Sequence, residues 1–262
     1  MYHSLRNEFL YSAYKIEAHY KDTSGKELSG AGTCFFVRNK QNEICLVTNR
    51  HVIDLDFKQP TPKYKDFKLS KVIIEGKKTN PTNLLPDHPH LFEIVPTNYF
   101  FSVDINNDLV VFKNIQVVAP NDAVINYIIS YDLIATKEKI ETGIKVGDFV
   151  SFPGFPEWHD KKENRPILRS GTISSDPRYN YSDNKTVFGD CIAYEAFSTG
   201  GSSGSPVFAL QRGFLGGDIV WPDARELLLV GINAGHLRTE KEGYHAGISY
   251  LYKSQCLLEL IN

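Results

Sequence analysis

The chain has 262 residues, of which 42% are hydrophobic, and its 29 Lys and Arg against 31 Asp and Glu give a formal net charge of −2. This length and composition support a sizeable core in one large domain or two small ones, and they exclude disorder as the main state. A charge close to zero excludes an overall basic surface for nucleic acid or for an anionic membrane.

The first 20 residues contain no apolar stretch of the length that a signal peptide needs, and no run of about 18 apolar residues occurs anywhere. We therefore predict a cytoplasmic protein with neither membrane nor nucleic-acid partners. Cys34, Cys45, Cys191 and Cys256 lack CxxC spacing and lie in apolar surroundings. They are interpreted as buried thiols, and the main alternative is a disulfide between Cys34 and Cys45 on neighbouring strands.

Short β-type runs bounded by Gly, Pro, Asn and Asp recur along the chain and predict an all-β sandwich or barrel. The runs lie at residues 14–20, 31–37, 44–48, 71–75, 109–113, 148–152, 167–174, 206–210, 228–234 and 246–251. Two turn-rich segments, 21–30 and 38–43, predict β-hairpins. Helix is predicted only at the ends: a short one in the first dozen residues, and one over 252–262, where leucines recur at helical spacing after Ser254 as N-cap.

Residues 55–104 predict a long connection that contains one strand or two. Within it, segment 57–78 holds seven lysines against two acidic residues. A solvated surface is the default interpretation of this segment, and a docking patch for an acidic partner is the alternative. Strand patterning lapses again over 114–148, where we expect the boundary between two halves of the chain.

The serine- and glycine-rich segment 198–208 leads straight into an apolar run, which favours a shaped turn over a flexible linker. A serine hydroxyl is a poor nucleophile until a base lies within hydrogen-bond reach and a third group orients that base. His51 directly follows an apolar strand, and Asp108, with Asp104 as its near competitor, directly precedes one. Taken singly, these residues more often belong to strand edges and turns. With Ser203 they occur in the order His, Asp, Ser, one of several orders in which catalytic triads have arisen.

These segments resemble the chymotrypsin-fold serine proteases, in which a T-x-x-H element, a D-L/I strand start and a G-x-S-G-x-P turn carry the catalytic residues. The matching residues are Thr48 and His51, Asp108 with Leu109, and Gly201, Ser203, Gly204 and Pro206. The bacterial branch that contains the glutamyl endopeptidases is the most similar. Its TN-K/R-HV element, TGG-x-SGSPVF turn, GYP turn and substrate-side strand match residues 48–52, 199–208, 152–156 and 230–235.

The resemblance runs from about Gly30 to Tyr250 and implies two six-stranded antiparallel β-barrels with a short C-terminal helix. Residues 1–125 would form the first barrel and carry His51 and Asp108, and residues 126–262 would form the second and carry Ser203. It implies a serine endopeptidase that hydrolyses a protein or peptide substrate through an acyl-enzyme. Such acyl transfer needs neither a cofactor nor a metal.

The resemblance also assigns roles that chemistry supports. His51 would take the proton of Ser203 and return it to the leaving amine, while Asp108 holds the correct tautomer. The backbone N–H groups of Gly201 and Ser203 would form an oxyanion hole, because glycine lets the backbone approach a substrate closely. Each such donor contributes about 3 to 4 kcal/mol to the transition state.

By position in the family, Phe197 would lie near the base of the substrate pocket, with Ser198, Asn233 and Gly235 along its sides. The absence of an aspartate at Phe197 argues against a preference for Lys or Arg. The glutamyl endopeptidases have a pocket histidine where this chain has Asn233, which argues against a preference for glutamate. His236 is a candidate substitute, although a loop histidine is the simpler interpretation, and we predict small or polar substrate side chains.

Ser202 occupies the place where trypsin-like zymogens use an aspartate to receive a newly cut N-terminus. Serine cannot form that ion pair, so we expect any activation to work through a regulatory protein partner or loop ordering. Two rival functions stay open: a protease-like binding module without turnover, and a serine esterase. Two histidines and one aspartate at 86–90 fall far short of a zinc signature, so no metal is predicted.

Overall fold

The computed structural model describes residues 2–59, 62–120, 123–183, 188–214, 223–240 and 242–262. Residues 60 and 61 of the lysine-rich segment therefore lie outside the described residues. Among the residues that are described, no helix has the length and apolar character needed to cross a membrane.

The first half of the described chain forms a single curled sheet. Its strands are β1 (Ala13–Lys21), β2 (Glu27–Arg38), β3 (Ile44–Thr48), β4 (Lys68–Lys78), β5 (His88–Ile94), β6 (Tyr99–Phe101), β7 (Val110–Phe112), β8 (Val117–Ala119) and β9 (Ile128–Ile129). They run in the order β6-β7-β3-β2-β1-β4-β5-β8, and β9 pairs in parallel with β2. Ile16 of β1, Phe92 of β5 and Phe112 of β7 share one buried cluster, so distant strands curl around the same interior.

The second half is a closed barrel. Its strands are β10 (Phe149–Gly154), β11 (Ile167–Ile173), β12 (Cys191–Glu195), β13 (Pro206–Ala209), β14 (Leu228–Arg238) and β15 (His245–Lys253). The order β10-β11-β12-β15-β14-β13 closes because β10 also pairs with β13. Phe152, Tyr194, Val207 and Leu251 fill its interior, as expected where alternate side chains point inward.

Helices contribute little to the described fold. They are α1 (Asn7–Leu10), α2 (Arg50–Ile53), α3 (Lys137–Gly143) and α4 (Ser254–Ile261), with a 3-10 turn at Tyr131–Leu133. The predicted C-terminal helix is confirmed, but Ser254 is its first helical residue, and its hydroxyl donates to the carbonyl of Ala135 at 2.6 Å instead of capping. Leu257 of α4 packs with Phe35 and Phe208 in an apolar cluster that joins the two halves.

The structure confirms the all-β prediction but corrects its details. Two closed six-stranded barrels were expected, and only the second half is one; within the described residues no pairing joins β6 to β8. The free, buried state of all four cysteines confirms the thiol interpretation. The division at residue 125 stays a prediction, and β9 still pairs with the first sheet beyond it.

Residues 55–104 are predicted to form a long connection with one strand or two. This prediction is wrong, because the segment contains the three strands β4, β5 and β6. His88 and His90, the two histidines of segment 86–90, lie in β5. There His90, Phe92 and Ile94 alternate inward, which shows a strand period that Pro89 disguises in the sequence.

Candidate active site

Strand pairing brings His51 and Asp108 together. His51 lies in α2, directly after β3, and Asp108 lies just before β7, which runs antiparallel to β3. Asp108 Oδ2 lies 2.5 Å from His51 Nδ1, and Asp108 Oδ1 accepts the backbone N–H of His51 at 2.9 Å. Because the carboxylate only accepts, Nδ1 carries the imidazole proton and Nε2 is left as a base.

The backbone around Asp108 is anchored separately. The side-chain amide of Asn49 donates to the Asp108 carbonyl at 2.7 Å, and Lys58 Nζ donates to the carbonyl of Asn106 at 2.8 Å. Burial lowers the pKa of Lys58, and the nearby charge of Asp108 opposes that shift. Asp104, the competitor, instead uses its carboxylate to accept the N–H of Asn106 at 2.8 Å in an exposed turn.

The turn that carries Ser203 docks against the strand next to His51. The Ser203 carbonyl accepts the N–H of Thr33 at 2.8 Å. A Cβ placed on Gly32 would lie 3.2 Å from the Ser203 carbonyl oxygen and 3.0 Å from Val52, the residue after His51. The Ser203 turn and α2 therefore flank the same point of β2.

Two backbone N–H groups of this turn are available to a substrate. The carbonyl of Gly200 accepts the N–H of Glu157 at 3.0 Å, and in a trans peptide the N–H of Gly201 must then point the opposite way. Within the described residues, neither the Gly201 nor the Ser203 N–H donates to another protein group. This is the donor pair that an oxyanion hole requires.

We expect Gly201→Ala to lower kcat by about 100- to 1000-fold, the cost of losing one oxyanion donor. Gly201 has a φ of +87°, and an added Cβ would collide with the Phe155 carbonyl, so the peptide must move. Steady-state kinetics would be compared with Gly200→Ala, because a Cβ on Gly200 meets nothing within 4 Å. Equal activity of the two variants would remove Gly201 from the hole.

Asn233 is predicted to line the pocket, but both polar atoms of its side chain make hydrogen bonds inside the protein. Its amide nitrogen donates to the Ser202 carbonyl at 2.8 Å, and its amide oxygen accepts the Tyr194 hydroxyl at 2.6 Å. Burial raises the pKa of that tyrosine, so the phenol stays a donor. Ser202 is buried, and its hydroxyl has no partner among the described residues. Asn233 thus supports the turn from within.

A cleft of about 290 Å³ opens beside Ser203. It is lined by Ser198, Thr199, Gly200, Ser203, Asn233, Ala234, Gly235, His236, Arg238 and Tyr250. The predicted pocket residues Ser198, Asn233 and Gly235 are therefore all in its wall.

Phe197, expected at the pocket base, is instead 64% exposed, and its ring contacts that of His245 in a tilted arrangement with 4.8 Å between ring centroids. Its neighbours Ala196 and Ser198 are both buried, so the alternation of an extended chain turns the Phe197 side chain outward. Phe197 therefore does not lie at the base of the pocket, as predicted, but at the outer edge of the cleft.

Sequence reasoning gave His236 only as a substitute and missed Arg238 and His245. His236 and Arg238 are two residues apart on β14, and both line the same cleft. His236 stacks on His245 with 4.3 Å between centroids. Burial lowers the pKa of both histidines, and neighbouring positive charge, from Arg238 near His236 and from Arg169 near His245, lowers it further.

A larger cleft of about 450 Å³ lies on the first sheet beside the end of α2. Its two aspartates are already bound: Asp54 pairs with Arg50 at 2.8 Å, and Asp56 accepts the N–H groups of Lys63 and Tyr64, each at 3.0 Å. Because none of the proposed catalytic residues lines it, we place the chemistry in the smaller cleft.

A closed barrel beside a curled sheet that carries a histidine–carboxylate pair is the arrangement of the chymotrypsin-like protease fold. Residues 32–217 match the trypsin-like peptidase domain family, and the chain belongs to that family. A solved structure of the thermostable serine protease AL20 from an extremophilic microorganism is similar, with a TM-score of 0.54, 12% identity and 97% of each chain covered. No curated protein sequence matches. Family and fold support a serine peptidase that acts on proteins or peptides.

Proposed function

We propose that the protein is a serine endopeptidase in which Ser203, His51 and Asp108 form the catalytic triad. The observation that carries this proposal is the 2.5 Å contact between Asp108 and His51 in a helix beside the Ser203 turn. The particular likeness to the glutamyl endopeptidase branch stays a prediction.

The same groups act in both steps of the proposed reaction, the acylation of Ser203 and the hydrolysis of the acyl-enzyme. Ser203 Oγ attacks the substrate carbonyl carbon while His51 Nε2 takes its proton, and the N–H groups of Gly201 and Ser203 bind the oxyanion. The imidazolium then protonates the leaving amine as the C–N bond breaks, which leaves an ester on Ser203. Water hydrolyses that ester with His51 again as the base.

We infer that the cleft prefers acidic substrate side chains over the small or polar ones expected from the sequence. The charged groups that line it are His236 and Arg238, and no carboxylate lines it among the described residues. A substrate carboxylate there would meet the Arg238 guanidinium, and a protonated His236 below the lowered pKa of that imidazole.

The ratio of kcat/KM for Glu over Gln at the cleaved bond should therefore rise as the pH falls through the lowered pKa of His236. Protonation of His236 adds positive charge to the cleft, whereas an effect of pH on catalysis that is common to both substrates cancels in the ratio. Arg238→Gln should lower the ratio about tenfold. Arg178→Gln, at an exposed arginine paired with Asp176, is the matched control, and a ratio insensitive to Arg238 would contradict the preference.

Cleavage of a peptide library by the wild type and by Ser203→Ala tests the function itself. Products from the wild type alone support the endopeptidase. Hydrolysis of small esters without any peptide cleavage would favour an esterase, and no turnover of either would favour a binding module. The N–H groups of Gly201 and Ser203 donate to no other protein group within the described residues. We therefore expect turnover without N-terminal cleavage. We propose that a regulatory partner, if there is one, modulates this activity.

A further inference from the structure

The residue before Asp108 joins the two halves of the molecule. Asn107 lies in the loop between β6 and β7 and is 2% exposed. Its amide nitrogen donates to Asp190 Oδ2 at 3.1 Å, and its amide oxygen accepts the backbone N–H of Asp190 at 2.8 Å. Asp190 directly precedes β12 of the barrel, so a two-point contact connects the Asp108 loop to the half that carries Ser203.

Asp190 is itself held on its other side. Asn180 donates to Asp190 Oδ1 at 2.7 Å, and Lys253 Nζ donates to Asn180 Oδ1 at 2.8 Å. The backbone N–H of Lys253 donates to the Asp190 carbonyl at 2.9 Å. Burial alone would raise the pKa of Asp190, but hydrogen bonds from Asn107 and Asn180 and the charge of Lys253 lower it. The Asp190 carboxylate, which accepts the hydrogen bond from Asn107, is therefore ionised and held in place.

The local backbone is shaped around this contact. Gly189 has a φ of +77°, and a Cβ there would collide with the amide oxygen of Asn107. On the opposite side, Asn49 holds the Asp108 carbonyl. Asp108 thus lies between one anchor in its own sheet and one anchor in the barrel.

We propose that Asn107 is a positioning residue that aligns the Asp108–His51 pair with Ser203 across the two halves. The inference rests on the proposed function, in which His51 and Asp108 belong to the sheet and Ser203 belongs to the barrel. A misplacement of about 1 Å between reacting groups lowers a rate by about 100-fold. A contact one residue from Asp108 is therefore well placed to set the rate.

Asn107→Ala and Asn107→Asp should lower kcat about 10- to 100-fold with little change in KM. The active sites of each variant are titrated with a fluorophosphonate, and kcat is calculated per titrated site. A loss of folded protein then does not lower the measured kcat. Asn106→Ala is the control, since within the described part of the chain its side-chain amide binds only Asp104, in an exposed turn at 2.9 Å.

The double variant Asn107→Asp with Asp190→Asn exchanges amide and carboxylate and should recover most of the lost kcat. A merely structural contact would change the melting temperature and the titrated fraction without moving kcat per site. A normal kcat per titrated site in Asn107→Ala, or a folded double variant as slow as Asn107→Asp, would overturn the proposal. A wild type that neither reacts with the fluorophosphonate nor cleaves peptides would instead reject the proposed function.

Discussion

Ser203→Ala should lower kcat for peptide hydrolysis by about a millionfold while leaving the fold intact. The substitution removes the atom that forms the acyl-enzyme. Within the described residues the Ser203 hydroxyl makes no hydrogen bond, and the turn is held by its backbone carbonyl, which binds Thr33 at 2.8 Å. Loss of the hydroxyl should therefore leave no buried group unsatisfied, and thermal melting should be unchanged.

Ser205→Ala is the matched control for this prediction. Ser205 lies in the same turn, is fully buried, and has a hydroxyl without a partner among the described residues. Its removal should keep both activity and stability, because no hydrogen bond is lost. A Ser203→Ala enzyme with more than about one hundredth of wild-type kcat would contradict the role of Ser203.

Asp108→Asn should lower kcat about ten-thousandfold near neutral pH. The amide oxygen must stay opposite the His51 backbone N–H, which Asp108 Oδ1 accepts at 2.9 Å. The amide nitrogen would then face His51 Nδ1 and donate to it, which moves the imidazole proton to Nε2. In that tautomer the ring cannot accept the Ser203 proton.

Asp104→Asn is the control for the second prediction, because Asp104 lies in the neighbouring exposed turn. Among the described residues, its side chain binds only the N–H and the amide of Asn106. It should retain near-normal kcat. Equal losses in the two variants, or a near-normal rate for Asp108→Asn, would indicate a catalytic dyad or a different acid.

The residues of the proposed triad could be singled out in the sequence because each lies in a short segment with its own local signal. His51 follows a strand, Asp108 precedes one, and Ser203 lies in a turn whose glycines are needed for positive φ. The predicted runs correspond to most of the strands, but they miss β5, whose period a proline disguises, the five-residue β12, and strands as short as the three residues of β6.

The lining of the substrate cleft could be predicted less well than the proposed triad. It depends on which side chains of an extended segment point into the cleft. The position of Phe197 in the family placed it inside, whereas burial of both neighbours turns it out. The Asn107–Asp190 contact left no local signal, since its partners are 83 residues apart and meet only when the two halves pack. Tertiary contacts of this kind follow from the assembled fold.

Mapping the site of fluorophosphonate modification by peptide mass spectrometry tests the proposed triad most directly. We predict a single adduct on Ser203 in the folded wild type, and none on Ser203 once His51 is replaced by alanine. An adduct on another serine, or a folded wild type that hydrolyses peptides yet stays unmodified at Ser203, would contradict the proposed active site.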